Sequence, residues 1–304
     1  MDDPADFHKA CSKIFFGTES PPVLAYTANE MSELAKQVVE RSIAVPGVQP
    51  KISLSTISNA LNKDKNDRLT VVGALDGNFI LKPPSENFPE LPANEAVTMR
   101  IAEAFGIRVV PSSLIRLKSG ELAYITKRID RTSSGDKIHM LDMFQITEAF
   151  DKYKSSMERV GKAVKQYSSN TLFDAVSLFE LTVFSFLTGN NDMHLKNFSL
   201  INYVNDQWVL SPAYDLLNVV IANPTDKEEL ALTLEGKKKK IKIDHFIRWA
   251  QQMGLNKKQI DGVFITFLKK RAEAEKWVKN SFLPKEMQAA FIDLMEERFL
   301  RIKS

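Results

Sequence analysis

The sequence predicts an α+β protein in two parts: a β-rich N-terminal lobe over residues 1–126 and a mostly helical C-terminal lobe over 127–304. Three observations carry this. Between residues 52 and 125, short runs of β-branched and apolar residues are punctuated by Gly, Pro and Asp-Gly, as strands joined by turns require. Beyond residue 126, apolar residues recur at helical spacing over long segments. The change falls on Thr126–Gly135, a polar stretch without helical period that reads as an extended connector.

In chain order, residues 1–26 contain Pro21-Pro22 and little periodicity, so an irregular lead-in is expected. Thr27-Ala28-Asn29-Glu30 is a capping-box pattern, and Met31, Leu34, Ala35, Val38 and Val39 follow on one helical face. Strands are expected at Ile52–Ser55, Leu69–Gly73 and Asn78–Lys82. Asp76-Gly77 between the last two is a hairpin signal. Pro92 near its start and Gly106 past its end frame a helix over 92–105. Ser112–Leu117 and Glu121–Ile125 form two further strands. Helices are then expected over 140–150, 152–166, 170–188, 244–253, 256–280 and 285–302, interrupted by a hairpin, Phe198–Asn202 with Gln207–Leu210.

Composition restricts the function classes. The net charge of +3 is small for 304 residues and gives no nucleic-acid footprint. The one lysine run, Gly236–Lys240, reads as a solvated loop or a patch contacting phosphate or a partner. A single cysteine, Cys11, excludes an internal disulfide framework; it is expected to be a small, partly buried residue. The acidic start Met1-Asp2-Asp3-Pro4 has no apolar signal core. No uncharged apolar run reaches ~18 residues, since the most apolar helix is broken by Asp174 and Glu180. A cytoplasmic protein without membrane association is expected.

The chemistry concentrates in Gly189-Asn190-Asn191-Asp192-Met193-His194-Leu195-Lys196-Asn197, a polar turn at the end of the most apolar helix. Asp192 and Asn197 are five residues apart. In phosphoryl-transfer catalytic loops an Asp orients the acceptor hydroxyl and an Asn five residues on holds magnesium. A second metal ligand follows the hairpin at Asp215. Magnesium takes one or two carboxylates plus substrate phosphates, so Asn197 and Asp215 suffice. Lys82 ends a strand, and Glu95 on the next helix could aim it at nucleotide phosphates. Lys196 could neutralise charge on the transferred group. His194 is either a catalytic neighbour or a loop-packing residue, and Asn190 and Asn191 can be turn formers.

With these residues in place, the chain resembles the HipA family of serine/threonine-protein kinase toxins over roughly residues 40–300. Gly47-Val48-Gln49-Pro50-Lys51 is similar to that family's nucleotide loop and Phe79-Ile80-Leu81-Lys82 to its ATP-lysine strand. Thr126–Arg131 is similar to its interlobe segment, and Asp192–Ser199 with Tyr214-Asp215 to its catalytic and metal motifs. The resemblance implies a two-lobed protein-kinase-like fold that uses ATP and Mg²⁺. It assigns phosphate-loop backbone contacts to Val45, Gly47, Val48, Gln49 and Lys51, and adenine contacts to the backbone around Lys127 and Ile129. Ile129 stands where the family usually has an aromatic, and Lys127 where it usually has Glu.

Too little chain precedes the nucleotide loop for the family's extra N-terminal subdomain, so the resemblance is to the shorter, HipT-like form of a three-component toxin–antitoxin module. That form implies a helix-turn-helix antitoxin, a small HipA N-domain-like partner, nucleic-acid contact only through the antitoxin, and an aminoacyl-tRNA synthetase as target. Family members phosphorylate a serine of their own nucleotide loop; Ser42 stands at the corresponding place. Two other readings fit the same residues: a pseudokinase-like nucleotide-binding corepressor, and a small-molecule kinase.

Overall fold

The computed structural model describes residues 6–41, 51–57, 67–72, 77–88, 90–132, 134–203 and 206–303. Contacts divide the chain into two compact units, Met1–Ala96 with Val110–Asp136 and Val97–Val109 with Lys137–Ser304. The division falls at 136/137 rather than at 126/127. The connector hydrogen-bonds back into the first unit, Lys127 N–H to Pro111 and Arg128 N–H to Asn78, each at 2.9 Å. Residues 97–109 belong to the second unit, where Phe105 packs edge-on against Phe184 and Phe267.

The first unit contains α1 (Lys9–Phe16), β1 (Val23–Leu24), α2 (Ala28–Arg41), β2 (Ile52–Ile57), β3 (Arg68–Val71), β4 (Phe79–Lys82), the start of α3 (Leu91–Ala104), β5 (Ser112–Arg116) and β6 (Leu122–Lys127). Six strands form one sheet in the order β1-β3-β2-β4-β6-β5. The lead-in is thus structured: α1 turns Ser12 and Phe15 inward, and Gly17 closes it in the left-handed region. Cys11 lies on the outer side of that short helix and is exposed, not partly buried. α2 begins at its sequence-predicted cap: Glu30 accepts from the Thr27 N–H at 2.7 Å while Thr27 Oγ1 accepts from the Glu30 N–H.

The Asp-Gly hairpin is corrected. β3 and β4 are not neighbours, because β2 lies between them and pairs antiparallel with both. Asp76 lies outside the described residues, and Gly77, at φ +83°, runs so close to β2 that a Cβ would sit 2.5 Å from the Leu54 carbonyl oxygen. A tight backbone crossing demands glycine as strongly as a hairpin does, and the local sequence does not distinguish them.

Strand alternation sets the two faces of this sheet. Phe79 and Leu81 of β4 join Ile52, Leu54, Ile115, Ala123 and Ile125 in a core closed by Phe15 of α1 and Met31 of α2. Ile80 and Lys82 therefore point to the other face, where Lys82 lies opposite Tyr124 in register.

The second unit contains the rest of α3, then β7 (His139–Asp142), α4 (Met143–Ile146), α5 (Met157–Tyr167), α6 (Thr171–Thr188), a 3-10 turn (Leu195–Asn197), β8 (Ser199–Asn202) and β9 (Trp208–Leu210). It ends with α7 (Val219–Ala222), α8 (Ile243–Gln252), α9 (Lys257–Lys269), α10 (Arg271–Lys279) and α11 (Lys285–Ile302). The expected hairpin is present, but β7 joins it to give a three-stranded sheet in the order β7-β8-β9. The helix expected over 140–150 is accordingly a strand followed by one helical turn, capped by Asp142 and Gln145 in a capping box. The helix expected over 256–280 breaks at Lys270 into α9 and α10. Helix α6 is long and apolar enough to cross a membrane, but 67% of it is buried inside the protein. It is the core helix of this unit, which explains its all-round apolarity.

Candidate active site

In the first unit the buried pair Lys82–Glu95 is the main polar feature. The Lys82 ammonium donates to both Glu95 carboxylate oxygens, at 2.6 and 2.7 Å, and the two residues are 3% and 1% exposed. Nζ also lies 5.4 Å from the centre of the Tyr124 ring. Glu95 sits on the second turn of α3, whose first turn holds no acid, so helix-end electrostatics do not explain it. A buried ion pair is seldom the most stable filling for its volume, and this one fixes an ammonium at the end of a strand.

Lys127 and Ile129 lie in the segment after β6. Lys127 keeps its backbone in the β4–β6 ladder and sends its ammonium toward α1, 5.6 Å from the Phe15 ring centre and 3.4 Å from the Ile14 carbonyl. Ile129 is half-buried. Nearby, Asp130 accepts from Arg128 and Arg131, each at 2.7 Å. Lys51 is exposed at the start of β2. Ser42, Val45, Gly47, Val48 and Gln49 lie outside the described residues.

In the second unit, α6 delivers the polar turn. Gly189 ends the helix at φ +69°, where an added Cβ would stand 2.5 Å from Leu294 and 2.9 Å from Asn218 Oδ1. The following residues close on themselves. His194 and Asn197 N–H groups donate to the carbonyls of Asp192 and His194, at 2.8 and 2.9 Å. Asn197 Nδ2 donates to the Asp192 carbonyl at 2.9 Å. That bond commits the amide nitrogen, so Oδ1 is the atom Asn197 can offer a cation. Asp215 follows β9 with φ +61°, in the left-handed region that Asp tolerates better than most residues.

Tyrosines link these acids. The Tyr153 hydroxyl donates to Asp192 Oδ1 at 2.7 Å. Burial, this bond, and the charges of Asp192, Asp151 and Asp215 all push its ionisation far upward, so it remains a donor. The Tyr214 hydroxyl donates to the Lys196 carbonyl at 2.9 Å and meets Ser199 Oγ at 2.5 Å. Its ionisation is also raised, by burial first and then by Asp142 and Asp215. One pair of phenols thus feels Asp192, Asp215 and Asp142.

The Lys196 ammonium lies 4.9 Å from the Phe144 ring centre. Burial raises the ionisation of Asp142, against the Gln145 N–H and the Lys196 charge. The buried His194 packs edge-on against Tyr153, with ring centres 5.0 Å apart. Asn190 and Asn191 are buried too, and Asn191 Nδ2 holds the Glu228 carbonyl at 3.0 Å.

The motif spacing did not disclose Tyr153, Tyr214 or the Asp142–Lys196 pairing, because each role depends on contacts made only after folding. The donor set suits magnesium. Asn197 Oδ1 and Asp215 are hard oxygen ligands, and Mg²⁺ takes few of these from protein, completing its shell with water and phosphates. No group of three or more His, Cys, Asp or Glu suited to a metal occurs among the described residues. Lys82, fixed by Glu95, is a cation that an anion such as a nucleotide phosphate could meet.

A six-stranded sheet carrying a buried Lys–Glu pair, followed by a helical unit that holds Asp192 and Asn197 in one turn and Asp215 after β9, is the protein-kinase-like fold. Two among the solved structures that share the fold are informative. One is the complex of Shewanella oneidensis HipA with HipB and operator DNA, with TM-score 0.69, 18% identity, and 92% of this chain and 71% of that one covered. The other is the Helicobacter pylori proinflammatory kinase CtkA, with TM-score 0.54, 16% identity and coverage of 74% and 87%.

Residues 43–275 match the HipA-like C-terminal domain, and the chain belongs to that family. It is 26% identical over 292 residues to a protein of Haemophilus influenzae named as a candidate kinase, covering 86% of this chain and 82% of that one. A Sinorhizobium fredii relative similarly named, Y4dM, is 33% identical over 189 residues, covering 56% and 46%. The serine/threonine-protein kinase toxin HipA of Shewanella oneidensis is 24% identical over 214 residues, covering 64% and 47%. The chain therefore spans most of the Haemophilus relative and about half of the other two.

Proposed function

We propose that this protein is an ATP- and Mg²⁺-dependent serine/threonine-protein kinase acting as the toxin of a bacterial toxin–antitoxin system. The observation that carries the reading is the buried Lys82–Glu95 pair in a chain that also holds Asp192, Asn197 and Asp215 in family order. In this reading Lys82, aimed by Glu95, steadies the nucleotide phosphates, and the 45–51 loop contributes backbone N–H groups and Lys51. The backbone around Lys127 and Ile129 receives adenine. Asn197 Oδ1 and the Asp215 carboxylate hold magnesium, which supplies charge neutralisation on the phosphates when bound.

Asp192 aligns the acceptor hydroxyl and takes its proton as the phosphoryl group transfers in line. Lys196 offsets negative charge on that group, and His194 supports the loop through its packing on Tyr153. Ser42 is the proposed autophosphorylation site. A phosphate there adds up to about two negative charges beside a loop that must accept ATP phosphates.

The Shewanella HipA structure contains HipB and operator DNA. By analogy we assign this chain an antitoxin partner and DNA contact through that partner; the resemblance to the shorter form of the family adds a helix-turn-helix antitoxin and a small HipA N-domain-like companion. An aminoacyl-tRNA synthetase is the proposed target class.

The test is peptide mass spectrometry after incubation with Mg²⁺–ATP, wild type beside Asp192→Ala. Phosphate is expected on Ser42 or on added protein substrate in wild type only. Equal incorporation by both proteins would sink the catalytic assignment, and incorporation by neither would favour a nucleotide-binding pseudokinase.

A further inference from the structure

The segment between α4 and α5 has no part in the sequence motifs, yet it is tied to the catalytic turn at three points. The Leu195 N–H donates to the Lys152 carbonyl at 3.1 Å. The Tyr153 ring stands edge-on to His194, with an interplanar angle of 78°. The Tyr153 hydroxyl donates to Asp192 Oδ1 at 2.7 Å. The tyrosine is itself held: its N–H donates to Asp151 Oδ1 at 2.9 Å, and the Lys152 ammonium lies 4.9 Å from its ring centre.

A short carboxylate side chain rotates about two bonds, and an acceptor hydroxyl meets it productively in only part of that range. Reactions of this kind lose rate steeply when one group is misplaced by about 1 Å. The Asp192 backbone is already fixed by Asn197 and His194, which take its carbonyl. Those backbone bonds do not by themselves set the rotation of the carboxylate. The tyrosine hydroxyl engages one carboxylate oxygen directly, from an element outside the turn.

We propose that Tyr153 is a positioning residue for phosphoryl transfer: its hydroxyl fixes the Asp192 carboxylate so that the acceptor hydroxyl meets it in one orientation. The proposal rests on the kinase reading for its consequence and on geometry for its structural claim. Tyr153 neither touches the nucleotide nor exchanges a proton in the reaction. It also gives the His194 ring, edge-on to Tyr153, a part in supporting the tyrosine.

The test uses Tyr153→Phe in the full chain, which retains the ring against His194 and removes only the hydroxyl. The expected result is a fall in kcat of about 10-fold or more, with the KM for ATP within about twofold and the melting temperature nearly unchanged. Tyr153→Ala also removes the ring and should lower both kcat and thermal stability. An unchanged kcat in Tyr153→Phe overturns the proposal, and so does a fall that appears wholly in the KM for ATP. A crystal structure of Tyr153→Phe decides the geometric claim without activity: Asp192 should turn to another rotamer or become disordered, and an unmoved carboxylate refutes it. If wild type transfers no phosphate at all, the kinase reading fails, and the crystal structure still decides what Tyr153 does to Asp192.

Discussion

Lys82 and Glu95 form a pair in which stability and chemistry can be separated by mutation. Removing one member of a buried ion pair leaves the other charged and uncompensated, at about 3–5 kcal/mol, whereas replacing both by apolar residues is often neutral. Lys82→Met should therefore lower unfolding stability in urea by about 3–5 kcal/mol and abolish transfer. The double variant Lys82→Met/Glu95→Met should recover most of the stability and none of the transfer. Wild-type transfer by either variant would show that the pair is structural. The pair was legible as a strand-end lysine and a helix glutamate in kinase order. Tyr153 was not, because its hydroxyl meets an acid 39 residues away and no local pattern marks it.

At the scale of elements, what the sequence displays depends on how local the cause is. α2, α6 and α11 were legible because a cap or an apolar stripe lies within the helix itself. β7 was misread as helix because its cause is β8, with which His139–Asp142 pair across residues 199–202. α1 was missed because eight residues offer too few turns for a period to show.

The segment 228–241 depends on distant contacts too. Glu229 accepts from Arg301 of α11 at 2.8 and 3.0 Å and from the Ile241 N–H at 2.7 Å. Arg301 also reaches the Ile241 carbonyl, and the adjoining Glu228 carbonyl holds Asn191 of the catalytic turn. Burial pushes the Glu229 carboxyl up, but the Arg301 bond, the Ile241 N–H and the charges of Arg298 and Arg301 prevail and lower it below 4.5. A carboxyl lowered on folding stabilises the protein above its unfolded value and loses that contribution as pH falls through the folded value. Glu229→Gln should thus be less stable than wild type at neutral pH, with the difference closing as pH falls below 4.5. Thermal unfolding from pH 7 to 3 measures this; a gap that stays constant through the acid range would exclude the ionised Glu229 as its source.

For the whole molecule, the kinase reading draws on Lys82 of the first unit and on Asn197 and Asp215 of the second. Nucleotide binding tests this without any substrate. A ligand that binds only the folded state stabilises it by about 2.7 kcal/mol at 100 times its Kd. For a domain of 150–250 residues each kcal/mol moves the melting temperature by roughly 2–4 °C, so saturating ATP with Mg²⁺ should produce a shift of several degrees. Because the reading gives the cation only two protein ligands, Asn197 and Asp215, most of its shell must come from water and phosphate. Magnesium alone should therefore shift little, and EDTA should remove most of the ATP effect. Asp215→Ala should show the small metal-free shift whether or not magnesium is present. Lys82→Met should lose the shift in both conditions, because the phosphates lose their cation whatever the metal does. A full Mg²⁺-dependent shift in Asp215→Ala would move the metal to other ligands, and a full shift in Lys82→Met would remove the sheet unit's lysine from nucleotide binding.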